Sequence, residues 1–236
     1  MRTVCGWARW LQARARRPVP VRVAEVRPLA AGRSPLLGGA LGAQRRAGVV
    51  LDQVDGTTCG SAVLVALSAW ADPSELRRLE GPDEHRSAAA VGGSAPVVRT
   101  AFGTRYDARQ KQVHRESTRF WPQALGTTPW GMVRWLRRHV PGAGPYAVRL
   151  VDDTSPADVA EVVAAVAASV RVGRPVPLMV GSLVPRHYVM VTGLDDGRWK
   201  VYEPTSGEIR AVDPALVGRR ALPLGFPRLH TALLPR

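Results

Sequence analysis

Gln53-Val54-Asp55-Gly56-Thr57-Thr58-Cys59-Gly60 leads into Ser61-Ala62-Val63-Leu64-Val65-Ala66-Leu67-Ser68-Ala69-Trp70-Ala71, which carries no breaker before Asp72-Pro73. An apolar run of that length reads as a buried helix with Cys59 in its first turn. Unpaired backbone N–H groups and the positive end of the helix dipole favour thiolate over thiol at such a position. Gln53 lies six residues upstream, where its side-chain amide can join the Cys59 N–H in holding an oxyanion. Taken alone, a cysteine in an apolar run is as readily a small buried hydrophobe. Its partners elsewhere in the chain decide between the two.

Upstream, residues 1–47 hold ten arginines against one acid, Glu25, so that +9 of the formal charge of +14 sits there. Trp7-Ala8-Arg9-Trp10-Leu11 is a short amphipathic piece at most, and Pro18, Pro20 and Pro28 interrupt regular structure. Residues 1–47 therefore read as a basic, flexible arm, with weak contact to an anionic surface as the alternative use. Lysine occurs only at Lys111 and Lys200. Arginine accompanied by alanine, valine and glycine is the mark of high-GC, bacterial coding, which weakens the charge as an argument for nucleic-acid binding.

The 236 residues are 45% apolar, enough for one large domain with a real core, here residues 48–236. No apolar run is long enough to cross a bilayer, and Arg16-Arg17 is followed by Pro-Val-Pro-Val-Arg rather than an apolar signal region. A cytoplasmic location is the expectation, with secretion left open. Cys5 and Cys59 are the only cysteines, too few for a disulfide framework, and Cys5 reads as an ordinary thiol. His85, His114, His139 and His230 show no ligand spacing with cysteines or carboxylates, so neither a metal nor another cofactor is expected.

Around the Cys59 helix, residues 48–52 read as a short extended lead-in. Residues 73–79 read as a turn or two of helix, and 87–94 as a loop. Residues 106–119 read as a polar helix with Lys111, His114 and Arg115 on solvated faces. Thr128 and Pro129 supply an N-cap and first-turn proline for a helix whose apolar face carries Trp130, Val133 and Leu136 and which Pro141-Gly142 stops. Residues 146–151 alternate as a strand. Ser155-Pro156 begins a helix through about residue 170 with a stripe of Val159, Val162, Val163 and Val166, closed by Gly173. Residues 175–181, 186–194, 199–203 and 208–212 read as strands, with Asp195-Asp196-Gly197 and Thr205-Ser206-Gly207 as turns and 228–234 as a last edge strand. Helices first and hairpins afterwards make an α+β fold with an antiparallel sheet.

A thiolate at a helix start needs a base close in space. His187 opens His187-Tyr188-Val189-Met190-Val191-Thr192-Gly193, so its ring stands at a strand's beginning, where it can reach a cleft. One hairpin later comes Glu203-Pro204, which antiparallel pairing brings beside His187 as an orienting carboxylate. The alternative for Glu203 is a solvated hairpin residue.

Gln53, Thr57-Thr58-Cys59-Gly60, the His187 strand and Glu203-Pro204-Thr205-Ser206-Gly207 together resemble the C39-like branch of papain-fold cysteine peptidases, in the correct order over residues 48–212. Residues 126–136 and Gly173-Arg174-Pro175-Val176 resemble that family's helix and sheet start. The resemblance implies a papain-like fold, with a nucleophile helix packed on an antiparallel sheet. It also implies Cys59 as nucleophile, His187 as general base and acid, Glu203 as the orienting acid and Gln53 in the oxyanion hole. The chain departs from the family pattern twice. Glu203 stands where aspartate is usual, and residues 80–125 lengthen the gap between Cys59 and His187, as an insertion near the cleft would. Neither an ATPase P-loop nor a membrane span accompanies the motifs, so the expectation is a peptidase without the transporter form that cleaves leader peptides during export. The implied partner is a peptide or protein substrate cut at a peptide or isopeptide bond. Acyl transfer, transglutamination or deamidation through the same thioester, and a non-catalytic peptide-binding module, are the alternatives.

Overall fold

The computed structural model describes residues 1–15, 35–81, 101–119, 122 and 126–236. The loop expected at 87–94 lies outside them, as do residues 16–34 of the arm. The apolar run forms helix α2 (Cys59–Ala71), every residue of which is buried. A helix apolar on all sides must be covered on all sides. Helices α3 (Pro73–Glu80), α4 (Ala101–Ser117) and α5 (Pro129–His139) and strand β6 (Pro185–Asp195) pack around it.

The remaining strands are β1 (Gly42–Ala43), β2 (Arg45–Arg46), β3 (Val49–Val50), β4 (Tyr146–Leu150), β5 (Val176–Gly181), β7 (Arg198–Glu203), β8 (Glu208–Val212) and β9 (Arg228–Pro235). Seven of the nine form one antiparallel sheet in the order β1-β8-β7-β6-β5-β9-β4, and β2 pairs with β3. Alternation along the strands sorts side chains to two cores. Tyr188, Met190, Tyr202 and Ile209 join α2 to α5, while Val189, Val191 and Val201 meet Val162, Val166 and Val170 of α6 (Pro156–Arg171) on the other face. The architecture is α+β, with helices on both faces of the sheet.

Local signals act as expected where the residues they need are adjacent. Thr128 Oγ1 accepts from the Gly131 N–H at 3.0 Å, and Ser155 Oγ accepts from the Asp158 N–H at 3.3 Å, each with proline next in the chain. Asp195 pairs with Arg198, leaving Asp196 and Gly197 as a two-residue turn. Their φ angles of 45° and 76° are those a primed turn requires, which is why glycine stands there.

Five expectations need correction. The last strand, β9, is interior, pairing with β5 on one side and β4 on the other, and its burial on both faces is that of a central strand. Trp130 is 57% exposed, and Met132, Trp135 and Leu136 carry the buried face of α5 instead. His114 is buried in α4 rather than solvated, because α4 lies between α2 and the Gln53 loop. The described part of residues 80–125, expected beside the cleft, lies in the core instead: Phe102, Tyr106 and Val113 of α4 are wholly buried.

The fifth correction concerns residues 1–47. Helix α1 (Val4–Ala15) is held to the body by Arg2 on Asp152 at 2.9 Å and Arg9 on Asp158 at 3.0 Å. Arg228 donates to the Met1 carbonyl, and its guanidinium forks onto buried Asp153. Leu36 and Leu37 join the core, and β1 extends the sheet. Among the described arginines of this segment, Arg2, Arg9 and Arg46 find carboxylates that are far away in sequence.

Candidate functional site

Three stretches converge at one end of the sheet. The first is the loop before α2. Asp55 organises it by accepting from both the N–H and the hydroxyl of Thr57 at 2.9 and 2.7 Å, while Thr58 Oγ1 bonds the Asp55 backbone. Buried Gln110 of α4 braces it further, donating to the Asp52 carbonyl at 2.9 Å and accepting from the Val54 N–H at 3.3 Å. Cys59 follows as the first residue of α2 and is buried, so its N–H has no carbonyl one turn earlier in the helix to bond.

The second and third stretches are β6 and β7. Met190 pairs with Tyr202 and Val191 with Val201, which brings His187 and Glu203 to the same end of neighbouring strands. His187 Nε2 lies 2.7 Å from Glu203 Oε1, and the Cys59 thiol is near enough to act on the ring electrostatically. All three side chains are buried. Burial by itself disfavours the imidazolium, but hydrogen bonds and charge attraction, from Cys59 first and Glu203 next, outweigh it and raise His187 from 6.5 to about 9.

Glu203 is not a solvated hairpin residue. The turn that follows β7 folds back on its carboxylate: the Thr205 N–H donates to Oε1 at 2.9 Å, and the Ser206 N–H and hydroxyl donate to Oε2 at 3.0 and 2.9 Å. Gly207, at φ 66°, closes that turn with an N–H to the Glu203 carbonyl. Burial would raise the carboxyl. The His187 bond and the turn's donors outweigh it and hold Glu203 at about 2. The extra methylene of glutamate is therefore accommodated by a turn that grips both oxygens.

Gln53 sits beside this turn. Its N–H donates to the Pro204 carbonyl at 2.7 Å, and its Oε1 accepts from Thr205 Oγ1 at 3.4 Å. Its Nε2 donates to the Asp55 carbonyl at 2.8 Å, which occupies one of the two amide hydrogens. Gln53 thus ties the Cys59 loop to the Glu203 turn.

A cleft of about 570 Å³ opens against Cys59, walled by Thr127, Pro129, Trp130 and Val184. Cys5 also lines it, because α1 docks along its edge. Burial pushes the Cys5 thiol up to about 11. Gly60 fits tightly beneath, since a Cβ there would stand 3.2 Å from Tyr188 Cδ2 and 3.3 Å from Thr127 Cβ. Sequence reasoning missed Cys5, Trp130, Tyr188, Thr231 and Gln110. Only Tyr188, next to His187, carried any signal. A second pocket, of about 320 Å³ between Glu75, Arg109 and His139, shares no lining residue with the first.

Among the described residues, no group of three or more histidines, cysteines or carboxylates could hold a metal ion, and no helix is long and apolar enough to cross a membrane. Comparison with protein-family models, curated proteins and solved structures finds no match to this chain.

Proposed function

We propose that the chain is a thiol hydrolase of papain-like, C39-like fold, and within that class a cysteine peptidase cutting a peptide or isopeptide bond. The observation that carries this reading is the buried line from Glu203 through His187 to Cys59 at the start of a buried helix. A histidine held protonated to about 9 beside a carboxylate and a cysteine suits a group that takes up the proton the Cys59 thiol gives up on attack.

Cys59 Sγ attacks the substrate carbonyl, and the carbonyl oxygen takes the negative charge. The Cys59 N–H and the second amide hydrogen of Gln53 are the donors for that oxyanion. His187 passes its proton to the leaving amine as the C–N bond breaks, which leaves a thioester on Cys59. The neutral imidazole then takes a proton from water, whose oxygen attacks the thioester, and Cys59 leaves as thiolate. Glu203 keeps the ring in place and stabilises its charge throughout.

A peptide-library cleavage assay comparing the wild-type protein with Cys59→Ala tests the reading. Cleavage by the wild type alone is expected. Equal cleavage by both, or by neither, overturns it. Products that carry an added amine would redirect the same thioester to acyl transfer.

A further inference from the structure

The cleft beside Cys59 contains two hydroxyls that this chemistry does not use. Tyr188 Oη and Thr231 Oγ1 belong to wholly or almost wholly buried residues, 2% and 0% exposed, and have no hydrogen-bond partner among the described residues. Both residues line the cleft. Strand register explains why they meet: Met179 of β5 is paired with Tyr188 of β6 on one side and with Thr231 of β9 on the other. Residues directly opposite in neighbouring strands point to the same face, so Tyr188, Met179 and Thr231 form one row across the cleft floor. Cys59 and Cys5 line the same cleft as this row.

Burying a hydroxyl without a partner is unfavourable, and two in one row mark a place built for a polar group. The walls, Pro129, Trp130 and Val184, are apolar, and exposed Arg186 is the one charged lining residue among those described. An ammonium entering the row would find no carboxylate, and a carboxylate would be stripped of water where the one described charged lining residue, Arg186, is exposed at the surface. A hydroxyl both donates and accepts, so a pair of them matches a group that does the same while remaining neutral. Among side chains that group is the primary carboxamide.

We propose that the row Tyr188–Met179–Thr231 is a specificity pocket for a substrate side chain ending in a carboxamide, close to the bond that Cys59 attacks. The inference rests on the peptidase reading of Cys59. Met179 packs against the methylenes of that side chain, and the two hydroxyls bond its oxygen and nitrogen.

Peptidyl vinyl sulfones, which alkylate a reactive thiolate, test this when they carry glutamine, its isostere methionine, or glutamate at either of the two positions before the sulfone. Labelling rates are read by intact mass, and peptide mapping separates Cys59 from Cys5. The expected result is labelling of Cys59 about 10-fold faster for glutamine than for methionine or glutamate at one position. The glutamine-to-methionine ratio falls several-fold in Tyr188→Phe and in Thr231→Val. Either variant suffices if the other fails to fold, and the wild-type ratio stands without them. Labelling of Cys59 with no glutamine preference at either position, or a preference unchanged in the variants, overturns the pocket and leaves the peptidase reading standing. No labelling of Cys59 by any reagent overturns both.

Discussion

Replacing Glu203 by glutamine changes one oxygen for one NH2 and separates the carboxylate's charge from its shape. The carboxyl is held at about 2 against an ordinary 4.5. That depression corresponds to about 3 kcal/mol of stabilisation of the charged form, part of it shared with His187. The side chain is only 7% exposed, so solvent screening removes little of it. In Glu203→Gln one amide oxygen can satisfy the Thr205 or the Ser206 N–H but not both, and the NH2 then faces a donor.

The expected loss is roughly 2–3 kcal/mol at pH 7, or on the order of 5–10 °C in Tm for a chain of this size. The sign follows from the depressed value. The Glu203 contribution is present above about pH 4.5 and disappears as pH falls towards 2, so wild type and variant converge in acid. His187 behaves oppositely, because its raised value makes its contribution full below about 6.5 and lost through 9.

Activity adds an independent readout. The alkaline limb of kcat/KM, near pH 9 in the wild type, moves down in Glu203→Gln, because only Cys59 then supports the imidazolium against burial. The rate falls roughly 10- to 1,000-fold. Thermal melts across pH 2–8 and pH–rate profiles provide the check. An unmoved alkaline limb, with kcat/KM within twofold of wild type, would refute the assignment of Glu203 as orienting acid.

Three further outcomes are expected. Gln53→Ala lowers kcat by about 100-fold or more with little change in KM, as loss of an oxyanion donor does; a kcat within threefold of wild type removes Gln53 from that role. Gly131→Ala puts a Cβ 2.5 Å from the Ser117 carbonyl oxygen, so chemical denaturation should show a loss of roughly 1–3 kcal/mol as α4 and α5 are forced apart. Asp158→Asn removes the charge that Arg149 and Arg9 share. Faster amide exchange over residues 4–15 and faster alkylation of Cys5 should follow, with the docking contribution of Asp158 present above about 3.8 and lost below its depressed folded value. Unchanged exchange would mean that α1 is held by other contacts.

Much of the candidate site is legible in the sequence. Cys59 at a helix start, His187 at a strand start and Glu203 one hairpin later each follow from short-range pattern, and a single tight turn sets the distance between the last two. Gln53 was legible as a neighbour of Cys59, but its bonds to the Glu203 turn and to Asp55 were not. The burial of Glu203 depends on three donors from residues that read only as a turn.

By itself, the sequence determined the apolar helix after Thr58, the capped starts at Thr128 and Ser155, the hairpin at Asp196-Gly197 and the α+β order, because each depends on residues a few positions apart. Tertiary structure alone decided that β9 lies inside the sheet, that α4 is core, and that basic α1 docks against the body through distant carboxylates and lends Cys5 to the cleft. It also set Tyr188 and Thr231 on either side of Met179. The physical reason is register: a one-residue slip in either strand pairing would turn those hydroxyls to the opposite face, and no local propensity fixes the pairing of β5 with a strand some fifty residues later.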